Sequence, residues 1–414
     1  MARTLAKLTE GSRITDYISL GVVAKAFPRT KVEEILGRTD KASDRQRDLP
    51  AHVAMYYVIA LGLYMEVSYR EVLRCLLEGL QWLKGKHPEA RVVAPSSITQ
   101  ARTRLGWEAV RLLHDEVVKP IATEKTLGAW FRHWRLVSLD GSTMDVPDEA
   151  DNREAFGVPT GPKGESAFPA IRFLSLVENG TRVLFGNRMG PYLTSELELA
   201  QEVLPMLEPN MLCLADRGFY SFKTWCLAGE TGAALVWRIK KSMVLPREKD
   251  LPDGSYLSRV YESQNDQKQK RNGVVVRVVD YELRGLAEAE SVYRLITTIL
   301  DWELAPAAEM AALYRERWNV ETAFDEVKTH LRAGKLTLRS KTPDLVRQEF
   351  YGLIMAHFAI RGLMHEAALM AEVDPDRLSF LHAVHVIRRK MTLVASLPPS
   401  GRPRLPRSSS ARTP

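Results

Sequence analysis

Four residues in the C-terminal third of the chain, Tyr314, Arg317, Glu321 and Lys328, have types and spacing that suit phosphoryl chemistry. In one α-helix, at about 100° per residue, they fall within an arc of roughly 60°, so that a phenol, two cations and a carboxylate share one face. Leu313, Val320, Phe324, Val327 and Leu331 form a neighbouring apolar stripe that places this polar face at the edge of a core. A carboxylate held there can ligate a divalent cation over a phosphodiester, while cations a turn or two away hold phosphate oxygens. Taken alone, the same residues also suit a solvated face, because Arg317 and Glu321 have the i,i+4 spacing of an ordinary helical ion pair.

Two upstream aspartates change that weighing. Asp140 ends the run Arg135-Leu-Val-Ser-Leu-Asp140 and is followed by Gly141 and Ser142; Asp216 closes Met211-Leu-Cys-Leu-Ala-Asp216 and is followed by Arg217 and Gly218. An apolar run that ends in a carboxylate and then a glycine predicts a buried strand delivering its acid to a sheet edge. The glycines predict close backbone approach. Either aspartate alone suits a turn or a helix cap equally well. Two strand-end aspartates followed far downstream by a helical glutamate form a much more specific pattern.

With these residues the chain resembles the bacterial insertion-sequence DDE transposases of the insertion element 4 type, which carry a ribonuclease H-like catalytic domain. The family's signature, Tyr, two residues, Arg, three residues, Glu, six residues, Lys, is met without a gap by Tyr314, Arg317, Glu321 and Lys328. The likeness runs from about residue 15 to about residue 370.

The resemblance implies that Asp140, Asp216 and Glu321 hold two Mg²⁺ ions about 3.5–4 Å apart, with Mn²⁺ able to substitute. It implies that Tyr314, Arg317 and Lys328 grip phosphates near the cut. The implied activity is cut-and-paste DNA transposition: binding of the terminal inverted repeats, metal-dependent strand cleavage, then strand transfer of the freed 3′-OH into target DNA. Joining two ends implies a homodimer on double-stranded DNA. Asp325, one turn beyond Glu321, is the competing ligand. The alternative is a catalytically inactive, sequence-specific DNA-binding protein derived from a transposase. A glycosidase built on a facing acid pair would leave the Arg and Lys stripe without a role.

Composition agrees with this without establishing it. A chain of 414 residues exceeds what a single core usually organises, and 45% hydrophobic with 26% charged residues is a globular balance. An excess of 58 Lys and Arg over 51 Asp and Glu suits a polyanionic partner. Cys75, Cys213 and Cys226 have no CxxC spacing, which excludes a zinc knuckle or disulfide framework as a reading, and Cys213 reads as core filler. The start Met-Ala-Arg-Thr-Leu-Ala-Lys is no signal peptide, and no apolar run reaches membrane-spanning length. The expected setting is the bacterial cytoplasm, at the nucleoid when bound to DNA, with no membrane partner.

The elements that must position the site follow from periodicity. The expected fold is α/β: all-helical over 1–125, strand-and-helix over 126–240 and 301–396 in ribonuclease H-like order, an inserted β-rich subdomain over 241–300, and a disordered basic tail over 397–414; the resemblance implies that the first is the DNA end-binding domain and the second the catalytic domain. In the helical region, Pro95 and its following serines start a helix predicted to expose Gln100, Arg102 and Arg104 to end DNA. Asn179-Gly180 predicts a hairpin between the strands Ala170–Val177 and Arg182–Asn187. In the insertion, by the resemblance, Tyr293 is the aromatic expected to stack on a base flipped out of the duplex, in a place where relatives better known for it carry an indole.

Overall fold

The computed structural model describes residues 21–43, 49–83, 94–161, 164–282, 293–332 and 337–393; the tail expected to be disordered, 397–414, lies outside the described residues. The N-terminal region is helical, as its periodicity predicts: α1 (Arg29–Arg38), α2 (Ala51–Leu63), α3 (Tyr69–Leu83), α4 (Pro95–Leu105) and α5 (Trp107–Val117). Helix α2 is buried without a break from Val53 to Leu63. A helix apolar on every side must be covered on every side.

The region that follows is built on one sheet. In chain order its elements are β1 (Trp130–Phe131), β2 (Trp134–Asp145), α6 (Ala150–Phe156), the small pair β3 (Thr160–Gly161) and β4 (Gly164–Glu165), β5 (Ala170–Glu178), β6 (Val183–Pro191), α7 (Glu196–Val203), β7 (Met211–Ala215), α8 (Phe222–Glu230) and β8 (Ala234–Ile239). Then come β9 (Lys249–Asp250), β10 (Tyr256–Val260), α9 (Gln264–Gln269), β11 (Val274–Tyr281) and β12 (Tyr293–Thr297). The strand order is β6-β5-β2-β7-β8-β12-β11-β10-β9, with β1 beside β2. Strands β2, β5 and β6 pair antiparallel, and β2, β7 and β8 run parallel.

The hairpin predicted at Asn179-Gly180 joins β5 to β6. Gly180 sits at φ +75°, and a Cβ there would come within 2.8 Å of the Ala129 nitrogen, so turn and packing both require glycine. Helix α8 starts at a capping box, in which the Ser221 side chain accepts from the Thr224 backbone N–H and the Thr224 side chain accepts from the Ser221 backbone N–H.

Three expectations change. Asp140 does not end its strand: β2 continues to Asp145, paired with β5 throughout from Val137 to Asp145. What ends at this level is the parallel neighbour, β7, whose Ala215 lies opposite Leu139. The β-rich insertion does form strands, yet they extend the catalytic sheet instead of closing a sheet of their own, because β12 pairs antiparallel with the edge of β8. An open strand edge is a ready template for such pairing. Finally, the signature is not one regular helix. The chain runs through α10 (Ala307–Leu313), a 3₁₀ turn (Tyr314–Trp318), α11 (Asn319–Asp325) and a π-helical segment (Glu326–Leu331) before α12 (Pro343–Ala371) and α13 (Phe380–Leu393).

Cover for α2 comes from the other end of the chain. Helix α12 crosses it so closely that a Cβ on Gly352 would lie 2.4 Å from the Val58 carbonyl oxygen, and one on Gly62 2.9 Å from the Ala356 Cβ. The helical region and the C-terminal helix therefore share one core with the sheet. Gly352→Ala is expected to destabilise the protein by about 3 kcal/mol, the upper end of overpacking costs, because backbone must move. Urea unfolding measures this, and an unchanged midpoint would contradict the packing.

Candidate active site

The parallel register decides which side chains meet. Leu139 pairs with Ala215 and Ala215 with Trp237, so the next residues, Asp140, Asp216 and Arg238, stand side by side where β7 ends. The Asp140 Oδ1 accepts from the Gly141 N–H at 2.8 Å. Burial pushes its carboxyl up to about 6; the Gly141 N–H and Arg317 work against this, and the charges of Glu196 and Asp216 add to it. Of the two predicted close approaches, Gly141 is one, since a Cβ would come within 2.9 Å of the Glu196 carboxylate, whereas the space around Gly218 is open.

The signature segment lies across this point. The Tyr314 hydroxyl donates to Asp216 Oδ1 and to the Ala215 carbonyl, both at 3.3 Å, and burial raises its pKa so that it stays a donor. Arg317 Nη1 donates to Asp140 Oδ2 at 3.2 Å, and its Nη2 is 3.8 Å from Glu321 Oε1. Lys328 donates to the Ser142 hydroxyl at 3.0 Å. Phe324 anchors the segment by edge-on contact with Phe173 on β5, ring centroids 5.3 Å apart, and Phe173 touches Phe350 on α12. The four residues stay on one face because the departures from α geometry oppose each other: the 3₁₀ turn overwinds the chain and the π segment underwinds it.

The other predicted residues divide. Gln100 and Arg104 are exposed on α4, one turn apart. Arg102 is not: it is 3% exposed and donates to Gln348, Ser340 and the Leu345 carbonyl. Its position follows the apolar face of Ile98, Ala101 and Leu105, to which it belongs by helical spacing. Tyr293 is half-buried, stacked on Tyr281 at 5.4 Å with Arg238 over its ring at 4.5 Å. Asp325 is paired with His330 at 3.6 Å, away from the shared arginine. Sequence reasoning missed Arg238, whose Nη1 is 3.6 Å from Asp216, and Trp318, 60% exposed beside Arg317. It also missed Asn179, which accepts from Ser138 on β2 and donates to the Glu316 carbonyl at 2.7 Å, tying the hairpin turn to the signature.

Among the described residues no three acids or histidines enclose a metal position. The donor set nevertheless fits a hard divalent cation: oxygen ligands only, and a carboxyl whose ionisation is held back by burial and like charges that a cation would reverse. Arg317 supplies part of that charge here. Its Nε has no hydrogen-bond partner, which leaves a buried donor for an incoming anion.

Comparison with known proteins identifies the family. Residues 134–359 match the family described as Transposase DDE domain, and residues 17–115 the family described as Insertion element 4 transposase N-terminal. The chain is 28% identical over 392 residues, 91% of its length and 84% of the relative's, to the transposase InsG for insertion sequence element IS4 of Escherichia coli (strain K12). A cryo-EM structure of a piggyBac transposase synaptic complex with hairpin DNA superposes with a TM-score of 0.46 and 12% identity, covering 91% of this chain and 80% of that one, too loosely to carry an argument.

The raised Asp140 carboxyl has a testable consequence. Its folded pKa of about 6 exceeds the unfolded value, so the stability it contributes is present below about pH 4 and lost as pH rises through about 6. Asp140→Asn should therefore gain on wild type by on the order of 2–3 kcal/mol between pH 4 and pH 7, measured by urea unfolding in chelator. Parallel stability curves for the two proteins would refute the buried carboxylate.

Proposed function

The chain belongs to the DDE-domain transposases of the insertion element 4 type, and on that premise we propose that Asp140, Asp216 and Glu321 are the catalytic acids of this DNA transposase. The observation that carries the assignment is Arg317, which reaches Asp140 on one side and Glu321 on the other. The order β6-β5-β2-β7-β8, three antiparallel strands followed by two parallel ones, supports the ribonuclease H-like reading of the catalytic region.

The three acids would hold two Mg²⁺ ions, or Mn²⁺ in their place, which would supply positive charge to the attacking and leaving oxygens. The chain's own groups do the positioning. Arg317 turns from Asp140 to the scissile phosphate, where a guanidinium grips two oxygens at once. Tyr314 keeps Asp216 oriented through its hydroxyl. Lys328 exchanges its Ser142 contact for a neighbouring phosphate, and Ser142 lies two residues beyond Asp140 on the same face of β2. Arg238 offers a further cation beside Asp216. DNA ends bind on the helical side through Gln100 and Arg104, with Arg102 acting as a structural tie, and two copies of the chain join two ends. Cleavage at the terminal inverted repeats and transfer of the freed 3′-OH into target DNA follow at this one site.

Two aromatics flank the acids. The Trp318 indole, 60% exposed with the Arg317 guanidinium 5.3 Å from its ring centroid, offers an unstacked base more ring than Tyr293, which Tyr281 and Arg238 both cover. Stacking on one base is typically worth ~1–3 kcal/mol.

The central test is Mg²⁺-dependent cleavage of a labelled duplex carrying the element's own terminal repeat and flank. Asp216→Ala and Glu321→Ala should abolish cleavage and retain end binding, and Asp325→Ala should keep more activity than Glu321→Ala. Specific binding without cleavage by the wild type would favour the inactive DNA-binding reading. In the same assay Trp318→Ala should slow cleavage more than Tyr293→Ala, and the reverse order would assign stacking to the tyrosine.

A further inference from the structure

We propose that Glu326, a buried acid outside the catalytic set, is a positioning residue that fixes Lys328 over the cleavage site. The inference rests on the reading of Lys328 as a phosphate contact. Glu326 opens the π-helical segment Glu326–Leu331 and is 2% exposed. Its Oε2 accepts from Arg361 Nε at 2.8 Å and pairs with His357 Nε2 at 3.0 Å, and its Oε1 pairs with Arg361 Nη2 and lies 3.6 Å from Arg182 Nη1. Arg361 and His357 stand one turn apart on α12, and the Phe380 ring at the start of α13 covers both.

A π turn is a rare and poorly favoured conformation that persists where surrounding contacts impose it, and it occurs mostly at functional sites. Here the contacts pull from two directions. Glu326 is fastened to the core helix, and Lys328, two residues on, is fastened to Ser142 on β2. The underwinding between them brings the lysine back onto the face of Arg317 and Glu321 after the 3₁₀ turn has overwound it. A surface salt bridge could not impose this. A fully buried carboxylate with a guanidinium fork on both oxygens can, because releasing it would leave desolvated charges unpaired. None of the network's members belongs to the signature, and His357, Arg361 and Arg182 lie far from Glu326 in sequence.

The test is a double-mutant cycle read by single-turnover cleavage of the terminal-repeat duplex in Mg²⁺. Glu326→Asp keeps the charge and retracts the anchor by one methylene, and it should slow cleavage about tenfold or more, the scale of a small misplacement in a reacting site. In a Lys328→Ala background the same change should cost no more than about a factor of two, and within each background Glu326→Asp should leave end-binding affinity within that factor. An equal loss in both backgrounds, or no loss in either, overturns the inference while leaving Lys328 in its role. Lys328→Ala cleaving at wild-type speed removes the phosphate reading and the inference with it. Arg361→Lys, which keeps the charge and loses the fork, repeats the cycle from the partner's side and decides the matter if Glu326→Asp does not fold.

Discussion

The site depends on the register of three parallel strands. Because side chains alternate with period two, a slip of one residue between β2 and β7 would turn Asp140 or Asp216 to the opposite face and leave the signature segment facing a single acid. The register is held by burial: Leu136, Val137, Leu139, Cys213, Leu214, Ala215, Leu235, Val236 and Trp237 are all essentially inaccessible. Such strands, covered on both faces, read as nearly unbroken apolar runs, and the charged residue that closes the run marks where the cover ends. At Asp140 and Asp216 that boundary coincides with the end of β7, so two carboxylates emerge together at a place where the backbone no longer fills the space between them.

Bringing like charges together in a half-buried place is unfavourable, and the protein offsets this with its own cations and hydrogen-bond donors. Arg317 lies between Asp140 and Glu321, and Arg238 and Tyr314 stand against Asp216. A charge-assisted hydrogen bond of this kind is worth roughly 1.5–3 kcal/mol. That is enough to hold the segment in place and small enough for a phosphate and its counter-cations to displace. The same groups can therefore stabilise the free site and serve the substrate, provided they pivot without dragging the backbone. The backbone is fixed elsewhere, by Phe324 on Phe173, by Asn179 on the Glu316 carbonyl and by the buried Glu326 cluster.

The helical N-terminal region is welded to this frame. Helix α2 is enclosed by α12 through the Gly62 and Gly352 approach. Arg102 ties α4 to α12, and Arg339 donates to the Met65 and Val67 carbonyls while stacking on Tyr69 at 4.5 Å. Each tie joins residues more than two hundred positions apart. The α4 surface proposed to bind DNA is thus held at a set distance from the acids, which suits an enzyme that must cut at a fixed place relative to the sequence it recognises.

Much of this was legible in the chain itself. That Asp140 and Asp216 close buried apolar runs, and that Tyr314, Arg317, Glu321 and Lys328 share one side, could be read because apolar runs and residue spacing are local properties, and the Asn179-Gly180 hairpin could be named because turn chemistry is local. Arg102 could also have been read correctly, since Ile98, Ala101 and Leu105 already defined the face it shares. What no local pattern carried was decided by tertiary contact. The insertion's strands joined the catalytic sheet because β8 offered a free edge, and the signature left regular α geometry because Glu326 was captured by His357 and Arg361 from a helix that begins seventeen residues later. Tyr293 gave its ring to Tyr281 and Arg238 while Trp318, beside its neighbour Arg317, kept most of its surface exposed, because how much of an aromatic ring stays free depends on the neighbours that folding brings to it.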